Sequence, residues 1–195
     1  AGGGVKDIDL TIPDGQVVVL CGESGCGKTT LTRLINGLIP HYFEGELIGS
    51  VEIDQKNITV QPLYDTAKQV GSVFQNPRSQ FFNVDTTSEL SFGCENLGMP
   101  REEILHRLQK TVSAFKISHL LDRNIFHLSG GEKQKIACGG AFMMDPSVYV
   151  LDEPSSNLDA DTILDLRSII SYLKSHGKTI VLSEHRLYYL NGIAD

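Results

Sequence analysis

Short apolar runs, separated by glycine-rich turns and amphipathic stretches, set the rhythm of this chain. Ile8, Leu10 and Ile12 alternate with polar residues, a period of two that predicts a half-buried strand ending at the Pro13-Asp14-Gly15 turn. Gln16–Cys21 follows as a short apolar, β-branched run, the pattern of a strand buried on both faces. After a glycine-rich turn, Lys28–Asn36 predicts a helix closed by Gly37. Val51–Ile53 and Val70–Phe74 are further strand candidates.

From Asn76 to about Arg123 strand signals fade. Pro100-Arg101-Glu102-Glu103 opens a helix with proline at its first position and acids in its first turn. Ile104, Leu105, Leu108, Val112 and Phe115 give it an apolar stripe. The stretch 76–124 therefore reads as a small helical subdomain inserted into an α/β core made of 1–75 and 125–195. In that core, Ser129 opens a helix to about Met144, Val148–Leu151 is a buried strand, Asp161–Ser175 is a helix followed by Gly177, and Thr179–Leu182 is a strand. Alternating strands and helices imply a mainly parallel sheet flanked by helices on both faces. No internal repeat or low-complexity segment interrupts this order.

Composition narrows the class. A chain of 195 residues, 41% hydrophobic and 21% charged, can bury a real core. Seventeen basic against 24 acidic residues give a net charge of -7, which argues against a surface that coats nucleic acid, and no nucleic-acid partner is expected. Cys21, Cys26, Cys94 and Cys138 form no C-x-x-C pair and read as reduced thiols of a cytosolic protein. The longest apolar runs, Val17–Cys21 and Val148–Leu151, are too short to cross a bilayer, and no signal peptide precedes the first strand. A membrane connection would run through a partner. The start at Ala1-Gly2-Gly3-Gly4 and the stop at Ala194-Asp195 read as the ends of a domain fragment.

The candidate chemistry begins at Gly22-Glu23-Ser24-Gly25-Cys26-Gly27-Lys28-Thr29, which fits G-x-x-x-x-G-K-[ST] at every fixed position and sits between a buried strand and a helix. Glycines let backbone N–H groups curl around phosphate oxygens, the helix N-terminus adds partial positive charge, and Lys28 supplies a full charge to the β- and γ-phosphates. Thr29 offers a hydroxyl to Mg²⁺, and Thr30 continues the phosphate-binding segment. Val148–Leu151 runs into Asp152 and Glu153. Ligands of a parallel sheet gather outside the carboxyl ends of its strands, so both acids face the phosphate loop. Asp152 would hold Mg²⁺, directly or through water, and Glu153 would orient and deprotonate an attacking water. On their own, two acids at a strand end also read as a plain polar stop. Leu128-Ser129-Gly130-Gly131-Glu132-Lys133-Gln134 carries a capping box in Ser129 and Glu132, and capping alone does not require Gly130-Gly131.

Taken together, these segments resemble the ATP-binding cassette (ABC) family. The phosphate loop, the Val73-Phe74-Gln75-Asn76-Pro77 loop and the Leu128–Gln134 signature are followed by the Asp152-Glu153 strand end, the Ser156-Asn157-Leu158-Asp159 loop and the Ser183-Glu184-His185 switch. The resemblance spans Gly22 to His185. It implies a P-loop NTPase fold with an antiparallel β edge, and ATP and Mg²⁺ as cofactors. It implies that Gln75 contacts Mg²⁺ or water and senses the γ-phosphate, and that His185 contacts the γ-phosphate and helps hold the water of Glu153. Ser129, Gly130 and Gly131 would bind ATP held by a second ATPase subunit, identical or homologous, in a head-to-tail dimer bridged in part by Asp159. Two departures are visible. Glu132 stands where glutamine is commonest, and nothing before Val5 can serve as the aromatic that stacks on adenine, which is expected upstream of Ala1.

More narrowly, Phe74–Phe82, Glu89-Leu90-Ser91-Phe92-Gly93 and Asn96–Glu103 are similar to the ATPases of energy-coupling-factor importers of cobalt, nickel or vitamins. That resemblance implies integral membrane subunits as partners and a peripheral place on the cytoplasmic face of the cell membrane, bacterial or archaeal. The alternative is a soluble ABC ATPase not linked to transport, of the ribosome-associated or DNA-repair type. The 52 residues from 76 to 127 leave no room for the long coiled coil of the repair type.

Overall fold

The computed structural model describes residues 4–195. Its central sheet is built from β1 (Val17–Leu20), β4 (Val70–Val73), β5 (Val148–Asp152) and β6 (Thr179–Ser183), in the spatial order β1-β6-β5-β4. All three pairings are parallel, with Val18 opposite Val181 and Val181 opposite Val150. The β-branched runs fit the two-faced burial that a parallel sheet imposes. One consequence matters most for function: the carboxyl ends of the four strands bring the segments after Leu20, Val73, Asp152 and Ser183 to a single edge.

A separate antiparallel hairpin pairs β2 (Glu52–Ile53) with β3 (Lys56–Asn57). Its two turn residues, Asp54 and Gln55, both have positive φ (50° and 63°), as a two-residue hairpin of this hand demands. The strand expected at Ile8–Ile12 is not formed. Ile8 and Leu10 are 55% and 52% exposed, and the segment pairs with neither free edge of the sheet, that of β1 or that of β4. Alternation signals a face that could be buried; it cannot supply the partner.

Helix α1 (Lys28–Ile35) follows the first glycine-rich turn and ends as expected, with Gly37 at φ 75° beyond the Asn36 cap. A short turn α2 (Leu38–His41) and helix α3 (Leu63–Gln69), which starts after Pro62, were not evident from periodicity. Between β4 and β5 lie α4 (Thr86–Asn96), α5 (Arg101–Phe115) and α6 (Gly130–Met143). Pro100 precedes α5 as its cap residue instead of serving as its first helical residue. Helix α6 is the hub and packs on α4, α5 and β4. The approach to α4 is close: a Cβ added at Gly139 would stand 2.7 Å from Leu90 Cδ2. One core runs from Leu90 and Phe115 through Ile136 and Phe142 to Tyr149, Leu151 and Leu182. On the other side it meets Ile163, Leu166 and Ile170 of α7 (Ala160–Ser175). Each fully buried aliphatic side chain contributes about 1.5–3 kcal/mol.

Several carboxylates are tied down at element ends. Asp85 caps α4 through the Ser88 amide, Glu132 accepts the Ser129 amide, and Asp159 caps α7 through Thr162. Asp195 binds Lys174 at 2.7 Å and accepts the Val17 amide at the edge of β1. Each bond favours the ionised form, and each of these four groups is held below its ordinary carboxylate range for that reason. A carboxylate depressed in the folded state stabilises the fold above its unfolded value of about 4, and that contribution is lost as pH falls through the folded value. Thermal melts followed by circular dichroism are expected to show Tm declining as pH is taken from about 5 to about 3. A flat Tm over that interval would contradict these assignments.

Candidate active site

The phosphate-loop segment emerges from β1 and enters α1 through Gly27, whose φ of 101° is left-handed and favours glycine. The chain also comes close there, since a Cβ at Gly27 would stand 2.5 Å from Val5 Cγ1. No side chain caps α1, and its first turn holds no acid, which leaves that end of the helix open to an anion. Lys28 is buried and curls back into the loop. Its ammonium donates to the carbonyl oxygens of Gly22 (2.8 Å) and Glu23 (3.0 Å). Phosphate oxygens arriving in this cradle would take over part of that hydrogen bonding.

Thr29 and Asp152 meet across α1 and β5, with Thr29 Oγ1 3.4 Å from Asp152 Oδ1. Ser183 Oγ also donates to Asp152 Oδ1, at 2.6 Å, and fixes the carboxylate from the β6 side. A hydroxyl and one carboxylate are hard oxygen donors, few in number, as Mg²⁺ uses when phosphates and waters complete its shell. Among the described residues no group of three or more His, Cys, Asp or Glu gathers into a metal cage. The residues present therefore fit Mg²⁺ held together with a nucleotide.

Glu153 stands at φ 44°, an uncommon conformation for a residue with a side chain. It is held there by its own N–H, which donates to both the carbonyl and the Oγ of Ser183 at 3.1 Å. Gln75 Nε2 donates to Glu153 Oε2 at 2.8 Å, and His185 Nε2 lies 3.2 Å from Glu153 Oε1. Three residues 78 and 32 positions apart in sequence thus converge from the ends of β4, β5 and β6. Among the described residues the Gln75 amide hydrogen-bonds Glu153 and neither Thr29 nor Asp152.

The signature segment lies apart from this cluster, at the start of α6. The capping box is complete: Ser129 Oγ accepts the Glu132 amide (3.2 Å) and Glu132 Oε2 accepts the Ser129 amide (2.8 Å). Ser129 and Gly130 are exposed. Gly131 touches the start of α7, where Thr162 Cγ2 would lie 2.3 Å from an added Cβ. A cleft of ≈ 360 Å³ sets Gln75 and Arg78 against Gly130 and Lys133, with Asn157 at its side. Asp159 caps α7 beside this cleft and makes no hydrogen bond to the Glu153 cluster.

Two contributors lie within segments named from sequence but receive no role there. Ser183 braces Asp152 and Glu153 together, yet a serine at a strand end looks ordinary. Lys133 is buried, and its ammonium donates to the carbonyls of Leu128 and Phe126, tying the segment before the signature to α6. Burial pushes its pKa down. All four cysteines are free, and burial raises the Cys138 thiol to about 12.

A parallel sheet whose strand ends carry a phosphate loop, an acid pair, a glutamine and a histidine defines a P-loop ATPase. The family described as ABC transporter matches residues 5–156, and the chain belongs to that family, as an ATPase domain. A provisionally named ABC transporter ATP-binding protein of Treponema denticola is 55% identical over 189 residues, 97% of this chain and 39% of that protein. One from Methanosarcina mazei is 42% identical, over 98% of this chain and 32% of that protein. The chain thus spans well under half the length of these relatives. Among solved structures, cbiO1 of Clostridium perfringens, described as part of the ABC transporter complex cbiONQ, superposes with a TM-score of 0.87 at 29% identity, covering 98% of this chain and 76% of that one. Among the described residues no helix is long and apolar enough to cross a membrane.

Proposed function

We propose that this chain is the ATP-hydrolysing part of an energy-coupling-factor importer of a vitamin or transition-metal ion. In this reading it sits peripherally on the cytoplasmic face of the membrane and works head to tail with a second, identical or homologous, ATPase. The observation that carries the proposal is the Glu153 carboxylate, clasped between Gln75 and His185 and adjacent in sequence to the Asp152 that meets Thr29. A carboxylate so held can accept a proton from a water aimed at the γ-phosphate. The water oxygen forms the new bond to phosphorus, and the bond from the γ-phosphorus to the bridging oxygen breaks. That oxygen leaves with the electron pair on ADP, and Glu153 holds the water's proton until inorganic phosphate departs. Mg²⁺, held by Thr29 and Asp152, would neutralise phosphate charge. Lys28 and the open end of α1 bind and orient the triphosphate. Ser129, Gly130 and Gly131 complete the site of the opposite subunit, and Asp159 helps bridge the two halves.

Residues 76–124 act as the lobe that passes closure to integral membrane subunits, with Gln75 as the joint between γ-phosphate and lobe. The cbiO1 structure supports this reading through the complex it belongs to, as do the residues shared with importer ATPases. Its test is reconstitution of the full-length protein with its neighbouring membrane subunits in vesicles. ATP-dependent uptake of labelled cobalt, nickel or a vitamin is expected. Co-sedimentation with ribosomes and no uptake with any membrane partner would sink the importer reading in favour of a soluble ATPase.

A further inference from the structure

Outside the groups used above, one buried carboxylate stands out. Glu184 lies just after β6, between Ser183 and His185, and is 2% exposed. Its Oε1 accepts the amide N–H of Ser155 (3.0 Å) and the hydroxyl of Tyr189 (2.8 Å). Its Oε2 accepts the amides of His185 (2.9 Å) and Arg186 (3.1 Å). No cation pairs with it among the described residues; four neutral donors hold the charge instead. Tyr189 is buried as well, and burial, then the Glu184 charge, raises its hydroxyl pKa, which keeps it a donor. A second strap runs alongside, since Arg186 Nη1 donates to the carbonyls of Ser155 (3.3 Å) and Leu158 (3.0 Å).

A buried carboxylate is costly unless its oxygens are fully hydrogen-bonded, and a plain turn after a strand does not require one. What these bonds accomplish is specific. The loop leaving β5 carries Glu153 through Asp159, and the loop leaving β6 carries His185. Glu184 bonds to both, once to the backbone N–H of His185 itself. We infer that Glu184 is a positioning residue that clasps the 154–158 loop to His185, so that the imidazole stays against Glu153 and any shift of His185 is passed to Asn157 and Asp159. On the proposed function, that clasp links the site holding the γ-phosphate to the segment that meets the second subunit.

The inference rests on the hydrolytic reading, and steady-state ATP hydrolysis by the full-length protein tests it. Glu184→Gln puts an NH₂ where one oxygen faced two donors. It is expected to lower kcat at least about tenfold, with KM for ATP within about threefold, as loss of a group acting on the chemical step should. Tyr189→Phe removes one donor of four and should give a smaller loss of the same kind. It also carries the test if Glu184→Gln does not fold. Amide exchange at Ser155 and His185 should accelerate together in Glu184→Gln while Val181 in β6 keeps its protection. An unchanged kcat in both variants, a KM that rises in step with the loss, or exchange that quickens at only one of the two loops would overturn the inference. A wild-type protein without ATPase activity, or a His185→Ala variant with the full rate, would instead count against the proposed function, and the exchange experiment would still judge the clasp.

Discussion

Replacing Glu153 with glutamine is expected to reduce ATP hydrolysis by about two to four orders of magnitude, the range attributed to a general base, while ATP affinity stays within about threefold. The substitution is nearly isosteric, so the backbone at φ 44° and its bonds to Ser183 need not change. The introduced amide can still accept from Gln75 through its oxygen and meet His185 through its nitrogen. What it cannot do is take a proton from water. On the proposed function ATP would remain clamped between two subunits, so a dimer that elutes early on size exclusion in Mg-ATP, and collapses to monomer without it, is the second expected result. Single-turnover hydrolysis at the wild-type rate would refute the role given to Glu153.

Lys28→Met is expected to act earlier, on binding. The methylene stem of Lys28 is buried, and methionine keeps that packing while deleting the ammonium. A charge-assisted hydrogen bond contributes about 1.5–3 kcal/mol, which corresponds to a loss of ATP affinity of roughly 10- to 150-fold by isothermal titration. Hydrolysis should fall to background as well, since the same charge offsets what develops on the γ-phosphate. The melting temperature should hardly move. A variant that binds ATP normally would show that the positive end of α1 alone suffices.

How much of this was legible beforehand depended on the kind of signal. Val17–Leu20, Val148–Asp152 and Thr179–Ser183 announce themselves because a strand buried on both faces must be apolar throughout. The phosphate loop is equally plain, since its chemistry is compressed into one turn with fixed spacing. Helix α4 was hidden because it is buried with polar residues inward. Thr86 Oγ1 donates to the Leu120 carbonyl, and Glu89 accepts from the amides of Phe82 and Asn83, so no apolar stripe forms. Ile8–Ile12 is the opposite case, an alternating pattern that pairs with no strand. Gln75, Glu153 and His185 share no spacing that would pair them. Resemblance to a family named Gln75 and His185, the strand end pointed to Glu153, and the sheet order then showed why the three meet. Ser183 and Glu184 enter from sequence only as neighbours of His185 in the switch segment, with no role of their own, because a short polar run after a strand looks like any loop.

The capping box at Ser129 carries one more consequence, a matter of proton accounting. A serine hydroxyl has one proton to give and two lone pairs to offer. Accepting the Glu132 amide occupies a lone pair and leaves the proton unspent. Ser129 can therefore hold its own helix together and, on the proposed function, still donate to a phosphate brought by the neighbouring subunit. Aspartate would cap α6 about as well but has no proton to give and carries a charge of the wrong sign. Ser129→Asp should melt like the wild type and yet abolish ATP-driven pairing, which separates what the residue does for its own fold from what it does for its neighbour.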